Sequence, residues 1–334
     1  MKKKLFTTSA LLIAAAIGLL IFSPGCSKKG GSANGKIVLK ASDDHPIDYP
    51  TTQGLVAMGK ILEEKTNGRI TVKIFPSAQL GSETQTVENT QMGTLDIDRV
   101  SCAPLSEFSK KMGVLSMPYI FRDYNHFRTV LDGPIGEEVG KDLEPKGLKV
   151  LAYYDSGARS FYTTKRAINT PADLKGLKIR TQKSQIMIDL VNALGANATP
   201  MSFEEVYTSL QTGVIDGAEN NAPSYLSTNH YEVAKFFSIN EHARVPDIVL
   251  MSMKTWNKLS PEDQKLVAEA ARESEKIESE LWAKYEKDAL DKVKAAKCKI
   301  NYPDQTPFRE KVKPMYKKYE SQFGDLIDRI QAVK

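Results

Sequence analysis

The sequence predicts an α/β fold of two lobes, each a mostly parallel sheet flanked by helices. Three observations predict it. Residues 174–221 run strand, helix, strand, helix, strand, and residues 37–101 do the same. At these spacings each run implies parallel strands joined by helical crossovers. The third observation is an amphipathic helix from Pro261 to about Lys297, longer than the roughly 25 residues usual in a globular domain. It reads as a coiled coil or as a helix laid across both lobes. The 334 residues suffice for one large or two ordinary domains.

In the first run, 37–42 is a strand ending in Asp43-Asp44-His45-Pro46. A helix over 52–66 carries Leu55, Met58, Ile61 and Leu62 on one face and stops at Asn67-Gly68. Residues 70–75 alternate as a strand. Leu80-Gly81-Ser82-Glu83 caps a helix reaching Met92-Gly93, and 95–101 is a third strand. It brings Arg99 toward the edge where Asp44 and His45 lie. A lone histidine is more often structural than a ligand, but this one follows a strand end, where binding residues collect.

Residues 124–131 and 136–143 read as helices, 150–154 as a strand and 160–164 as another, with Arg159 at its start. Tyr153 and Tyr154 offer flat rings to a ligand, though strand aromatics are more often core. In the second run, Thr170-Pro171 with Asp173 opens a short helical turn. Residues 177–181 form a strand ending near Arg180. Ser184 starts a helix that stops at Gly195, and 196–200 is a strand. Ser202-Phe203-Glu204-Glu205 is a capping box, Gly213 closes its helix, and 214–221 is a strand running into Asn220 and Asn221. Beyond lie a helix over 225–235, a strand over 236–241 with His242 at its end, an apolar strand over 248–252, the long helix, a strand over 299–302 and a last helix over 307–323.

Ligands of open α/β sheets bind beyond the carboxyl ends of the strands, where Arg180 and Asn220 fall. A guanidinium there suits a carboxylate or phosphate, since its fork donates two parallel hydrogen bonds. The alternative for Arg180 is a surface ion pair. Arg159 lies close to it if their strands are neighbours.

Lys2, Lys3 and Lys4 precede an apolar run over 11–22 and Ser23-Pro24-Gly25-Cys26. This is signal-peptide anatomy. Residues 1–25 read as the signal and Cys26 as a lipidated first residue; a plain secretory signal with a chance cysteine is the alternative. Residues 26–35 read as a flexible, lipid-anchored tether. Loss of 1–25 removes three lysines and no acid, which takes the formal charge from +5 to +2. That near-neutral charge argues against nucleic-acid binding. Cys102 and Cys298 read as free, buried thiols.

No His-Glu-x-x-His, Gly-x-Ser-x-Gly, phosphate loop or dinucleotide fingerprint is present, and Cys and His never fall at zinc spacing. Neither a metal nor another cofactor is implied. An exported, tethered α/β protein without catalytic apparatus reads as a binding protein.

Leu174-Lys175-Gly176-Leu177-Lys178-Ile179-Arg180, Gly213-Val214-Ile215-Asp216-Gly217-Ala218-Glu219-Asn220, Leu80-Gly81-Ser82-Glu83 and the long helix resemble the DctP family. Its members are the substrate-binding proteins of tripartite ATP-independent periplasmic (TRAP) transporters. The resemblance covers nearly all of the chain from Lys36 onward. It implies a periplasmic-binding-protein-like, Venus-flytrap fold. Lobe I is expected over 36–156 plus about 243–280, and lobe II over 157–242 plus about 281–334. It also implies that Arg180 clamps a ligand carboxylate, helped by Asn220 and Arg159. His45-Pro46-Ile47-Asp48-Tyr49-Pro50-Thr51, Arg99-Val100-Ser101, Asp155-Ser156-Gly157-Ala158-Arg159-Ser160-Phe161-Tyr162 and Glu219-Asn220-Asn221-Ala222-Pro223-Ser224-Tyr225 resemble the members that bind hexuronates such as glucuronate and galacturonate. For a uronate, His45, Asp44, Arg99, Glu83, Glu219, Asn221 and His242 would serve the hydroxyls. For a C4-dicarboxylate, Arg99 would be a second cationic end; an aldonate is a third ligand class. The expected partner is a membrane permease and the expected state a periplasmic monomer. A secreted enzyme acting on uronic sugars is the rival class.

Overall fold

The computed structural model describes residues 35–334. The signal peptide, Cys26 and nearly all of the tether lie outside the described residues.

The chain opens with β1 (Ile37–Ser42), α1 (Pro50–Lys65), β2 (Ile70–Phe75), α2 (Glu83–Met92) and β3 (Ile97–Ser101). Pro50 sits in the first turn of α1, where its missing N–H removes no helical bond. Ser82 and Gln85 form a capping box that opens α2, and Gly93 closes it in the left-handed conformation. Short α3 (Cys102–Leu105), α4 (Tyr124–Leu131) and α5 (Pro134–Lys141) lead to β4 (Leu148–Tyr154). The second run follows: β5 (Arg159–Thr163), β6 (Lys178–Thr181), α6 (Gln185–Ala193), β7 (Asn197–Pro200), α7 (Val206–Gln211) and β8 (Gly217–Asn220). The chain ends with α8 (Ala222–Ser227), α9 (His230–Val233), β9 (Phe236–Ala243), β10 (Asp247–Ser252), α10 (Met253–Trp256), α11 (Pro261–Ala295), β11 (Lys299–Asn301), α12 (Thr306–Phe323) and α13 (Leu326–Ala332).

Three elements differ from the sequence reading. The single helix expected over 225–235 is two short ones, because Asn229 turns left-handed at φ 57° between them. Helix α13 was not foreseen; Gly324 at φ 58° breaks it from α12. His242 lies inside β9 rather than past its end.

The strands make two sheets, ordered β2-β1-β3-β10-β4 and β11-β9-β5-β8-β6-β7. β1 is parallel to β2 and β3, while β10 inserts antiparallel between β3 and β4. In the second sheet β6 is parallel to β7 and β8, and β5 inserts antiparallel between β8 and β9. The mixed character has one cause. The chain passes between the sheets at 155–158 and at 244–246; the first passage delivers the reversed strand β5 to the second sheet and the second delivers the reversed strand β10 to the first.

Helix α11 makes the third link. At about 1.5 Å per residue its 35 residues span roughly 50 Å. Val267, Ala270 and Ala271 pack into the core of the first sheet with Leu55, Met58 and Val249. Ala289 and Val293 pack into that of the second with Tyr162 and Phe237. The coiled-coil alternative therefore fails: α11 buries its apolar positions in two cores of its own chain. Tyr154 lies in the first core, where its hydroxyl bonds Ser274 of α11 at 2.7 Å. Its proposed sugar-facing role is corrected. At the end of β4 the ring points between α1 and α11, and Gly54 of α1 supplies the room. Cys102 and Cys298 are both unpaired; Cys102 is buried and Cys298 half-buried.

Candidate functional site

Strand register brings the predicted residues together. Asn220 pairs with Ser160 and Arg180 with Ala218, so β6 and β8 end at one edge, where Arg159 enters β5. Across the gap Ser42 pairs with Asp98, which sets Asp43 beside Arg99 on β3. Between the two sheets lies a small polar cavity lined from both sides. Its first-sheet wall includes Asp44, His45, Glu83, Arg99 and Asp247, and its second-sheet wall Arg159, Arg180, Gln182, Phe203, Asn220 and Asn221. The walls meet over it: the Tyr49 hydroxyl lies 2.8 Å from Ser224 Oγ, and the Phe203 ring stands edge-on to His45 at 5.1 Å.

Three arginines face this space in three electrostatic states. Arg180 is 2% exposed and donates from Nε and Nη2 to the Met201 carbonyl at 3.1 and 2.9 Å. Among the described residues it bonds no carboxylate, and burial draws its pKa below the ordinary arginine value. A desolvated guanidinium without a counter-ion is costly and awaits an anion.

Arg159 already has its anion. Nε donates to Glu219 Oε2 at 2.5 Å, Nη2 to Glu219 Oε1 at 3.0 Å, and Nη1 to Asn220 Oδ1 at 2.9 Å. Burial pushes the Glu219 carboxyl up, but the Arg159 charge and hydrogen bonds, with His242 close by, outweigh it and hold it at about 2. Glu219 and His242 are fully buried and lie behind the cavity wall. Their expected contact with ligand hydroxyls is corrected: Glu219 orients Arg159, and His242 backs Glu219 with Nε2 at 3.4 Å.

Arg99 is oversupplied. Nη2 donates to Asp43 and Asp44, while Nη1 lies 3.2 Å from Asp247 and 3.6 Å from Glu83. Burial lowers its pKa, but these carboxylates more than reverse the effect. As a free second cationic end for a dicarboxylate, Arg99 is corrected: its charge is already surrounded. Burial and the Arg99 charge hold His45 at about 3, so its ring is neutral and its Nδ1 has no partner among the described residues. Burial raises Glu83, with Asp44 adding to it, and pushes Asp247 to about 7.

Sequence reasoning missed Gln182, Phe203, Ser224, Ser156 and Asp247 on the walls. Gln182 was within reach, since it directly follows the strand that carries Arg180. Asp247 was not, because its place depends on β10 inserting beside β3.

Residues 41–322 match the bacterial extracellular solute-binding proteins, family 7, or DctP. The chain belongs to the DctP family. No helix among the described residues is long and apolar enough to cross a membrane. A solute-binding protein from Chromohalobacter salexigens is 36% identical over 97% of this chain and 95% of its own length. A TRAP periplasmic solute-binding protein from Xanthobacter autotrophicus Py2, solved with bound β-D-galacturonate, superposes with a TM-score of 0.86. It is 43% identical, over 89% of this chain and all of that one. Another, from Pseudomonas putida F1 with bound D-glucuronate, reaches 0.87 at 40% identity, over 89% of this chain and 98% of that one. DctP proteins are transport receptors, which fits a cavity of hydrogen-bonding groups without a nucleophile beside a base.

Proposed function

We propose that this chain is the extracytoplasmic solute receptor of a TRAP transporter and that its ligand is a hexuronate, D-galacturonate or D-glucuronate. The observation that carries the reading is Arg180, buried in the cavity with only a backbone carbonyl for a partner. The uronate carboxylate completes it, aided by Asn220 and the remaining N–H of Arg159. The acceptor-rich wall of Asp44, Glu83, His45 and Asp247 takes the ring hydroxyls. The uronate-bound receptors of like structure support this choice.

Contacts to both walls make the closed form bind better than an open one, so ligand shifts the population toward closure. The closed receptor docks on the membrane permease and releases the sugar unchanged. Acylation at Cys26 would hold it to the membrane as a monomer. The alternative with a plain secretory signal leaves it free in the periplasm.

Titration calorimetry with both uronates tests the reading. Binding by the wild type and loss of about 2–5 kcal/mol in Arg180→Ala is expected, since truncation leaves a buried ligand charge unpaired. Unchanged affinity in a folded Arg180→Ala protein refutes it. Uronate recovered after long incubation should be unaltered by NMR; turnover would favour an enzyme.

A further inference from the structure

We propose that Tyr49 is a latch between the two walls, a positioning residue that touches no ligand and strengthens binding by favouring the closed form. The proposal rests on the uronate-receptor reading and deepens it.

Tyr49 directly precedes α1 on the first-sheet side. It is fully buried, yet it is not one of the residues that line the cavity. Its ring is held from several directions. The His45 imidazole stacks on it, with ring centres 3.8 Å apart and planes 10° apart. Trp282 and Tyr285 of α11 stand edge-on to it at 5.8 and 5.9 Å. A ring held in this way presents its hydroxyl on a rigid arm and has little rotamer freedom left to lose on closure.

The hydroxyl reaches across to the second-sheet side. It lies 2.8 Å from Ser224 Oγ and donates to Asn221 Oδ1 at 3.3 Å. Both partners are fixed. Asn221 caps α8, its Oδ1 accepting from Ser224 N–H at 2.7 Å, while its Nδ2 donates to the Ser156 carbonyl in the first passage between the sheets at 2.8 Å. One phenol thus ties the start of α1 to the start of α8. These bonds join parts of the chain that separate when the walls part, so they belong to the closed form. A contact made in only one of two states shifts the population toward that state. The same arm serves the cavity: the His45 ring, which lines it, lies with its face on Tyr49 and stands edge-on to Phe203 of the opposite wall.

Titration calorimetry with D-galacturonate and D-glucuronate tests the latch. Tyr49→Phe keeps the ring and removes the hydroxyl. It should weaken both uronates about 5-fold, the share of one neutral hydrogen bond, and by the same factor, because closure and not a ligand contact is lost. Ser224→Ala breaks the bond from the other side and reads it independently of how well Tyr49→Phe folds. Adding Tyr49→Phe to Ser224→Ala should cost little more. A merely structural tyrosine would lower the melting temperature and leave affinity at the wild-type level. Unchanged affinity in the single variants, unequal losses for the two uronates in Tyr49→Phe, or losses that add in the double variant overturn the latch and leave the uronate reading standing. No binding of either uronate by the wild type overturns the uronate reading and the latch with it.

Discussion

Arg180 and Arg159 lie at ends of neighbouring elements of one sheet and share burial, yet differ in one respect. Arg159 is paired with Glu219 and Asn220 and keeps one N–H, whereas Arg180 bonds only a carbonyl among the described residues. A guanidinium with its own carboxylate can only assist a ligand anion; one without a carboxylate can clamp it. The difference yields a prediction about Glu219. Removing one partner of a buried ion pair costs about 3–5 kcal/mol, so Glu219→Ala should lower urea-unfolding stability by that order. A surface mutation nearby, such as Lys183→Ala, should change it little. Urea melts of the two variants, compared with the wild type, check this. Residue type and strand position made Arg180 and Asn220 legible in the sequence. The depth of Glu219, His242 and Tyr154 was not legible, because a polar or aromatic residue at a strand end reads alike whether it faces a cleft or a core.

At the scale of elements, the packing of α1 on α11 braces the first sheet, and Gly54 sets its closeness. A Cβ at Gly54 would lie 2.6 Å from the Tyr154 ring and 3.0 Å from Glu278 Cβ. Gly54→Ala should therefore destabilise by about 1–3 kcal/mol through overpacking, despite the gain in helix propensity; a melting temperature at or above wild type contradicts this. Capping boxes made element starts legible. Ser82, Thr170 and Ser202 each precede the helical turn expected of them. The break at Asn229 and helix α13 were hidden, since a left-handed residue and a short terminal helix are decided by what they pack against.

For the whole molecule, the cleft is a store of buried ionisable groups whose effects oppose each other with pH. Burial raises Asp247 from 3.8 to about 7, against the pull of Arg99 and Arg159 and with Asp43 and Asp44 adding to the rise. The folded protein holds that proton more tightly than the unfolded chain. The stability tied to it is full below about pH 4 and is lost as pH rises toward 7. His45 and His230 run the other way. Both are lowered to about 3, chiefly by burial, so their contribution is present above about pH 6.5 and lost as pH falls toward 3. Asp247→Asn should remove the first trend, so that the variant's melting temperature gains on the wild type from pH 4 to pH 8. A constant difference across that range would show that Asp247 does not ionise there. Galacturonate at a hundred times its dissociation constant should stabilise the protein by about 2.7 kcal/mol, a shift that Arg180→Ala should abolish.

The sequence by itself determined the two βαβαβ runs, the long helix and the arginine at a strand end. All of these follow from local periodicity, caps and charge, which a linear chain displays. Only the tertiary structure decided which arginine stands without an anion, and that four carboxyl groups crowd Arg99, Asp247 among them because β10 pairs with β3. Those facts depend on which groups, distant in sequence, share a small volume from which water is excluded. In that volume a charge is worth what its neighbours make it.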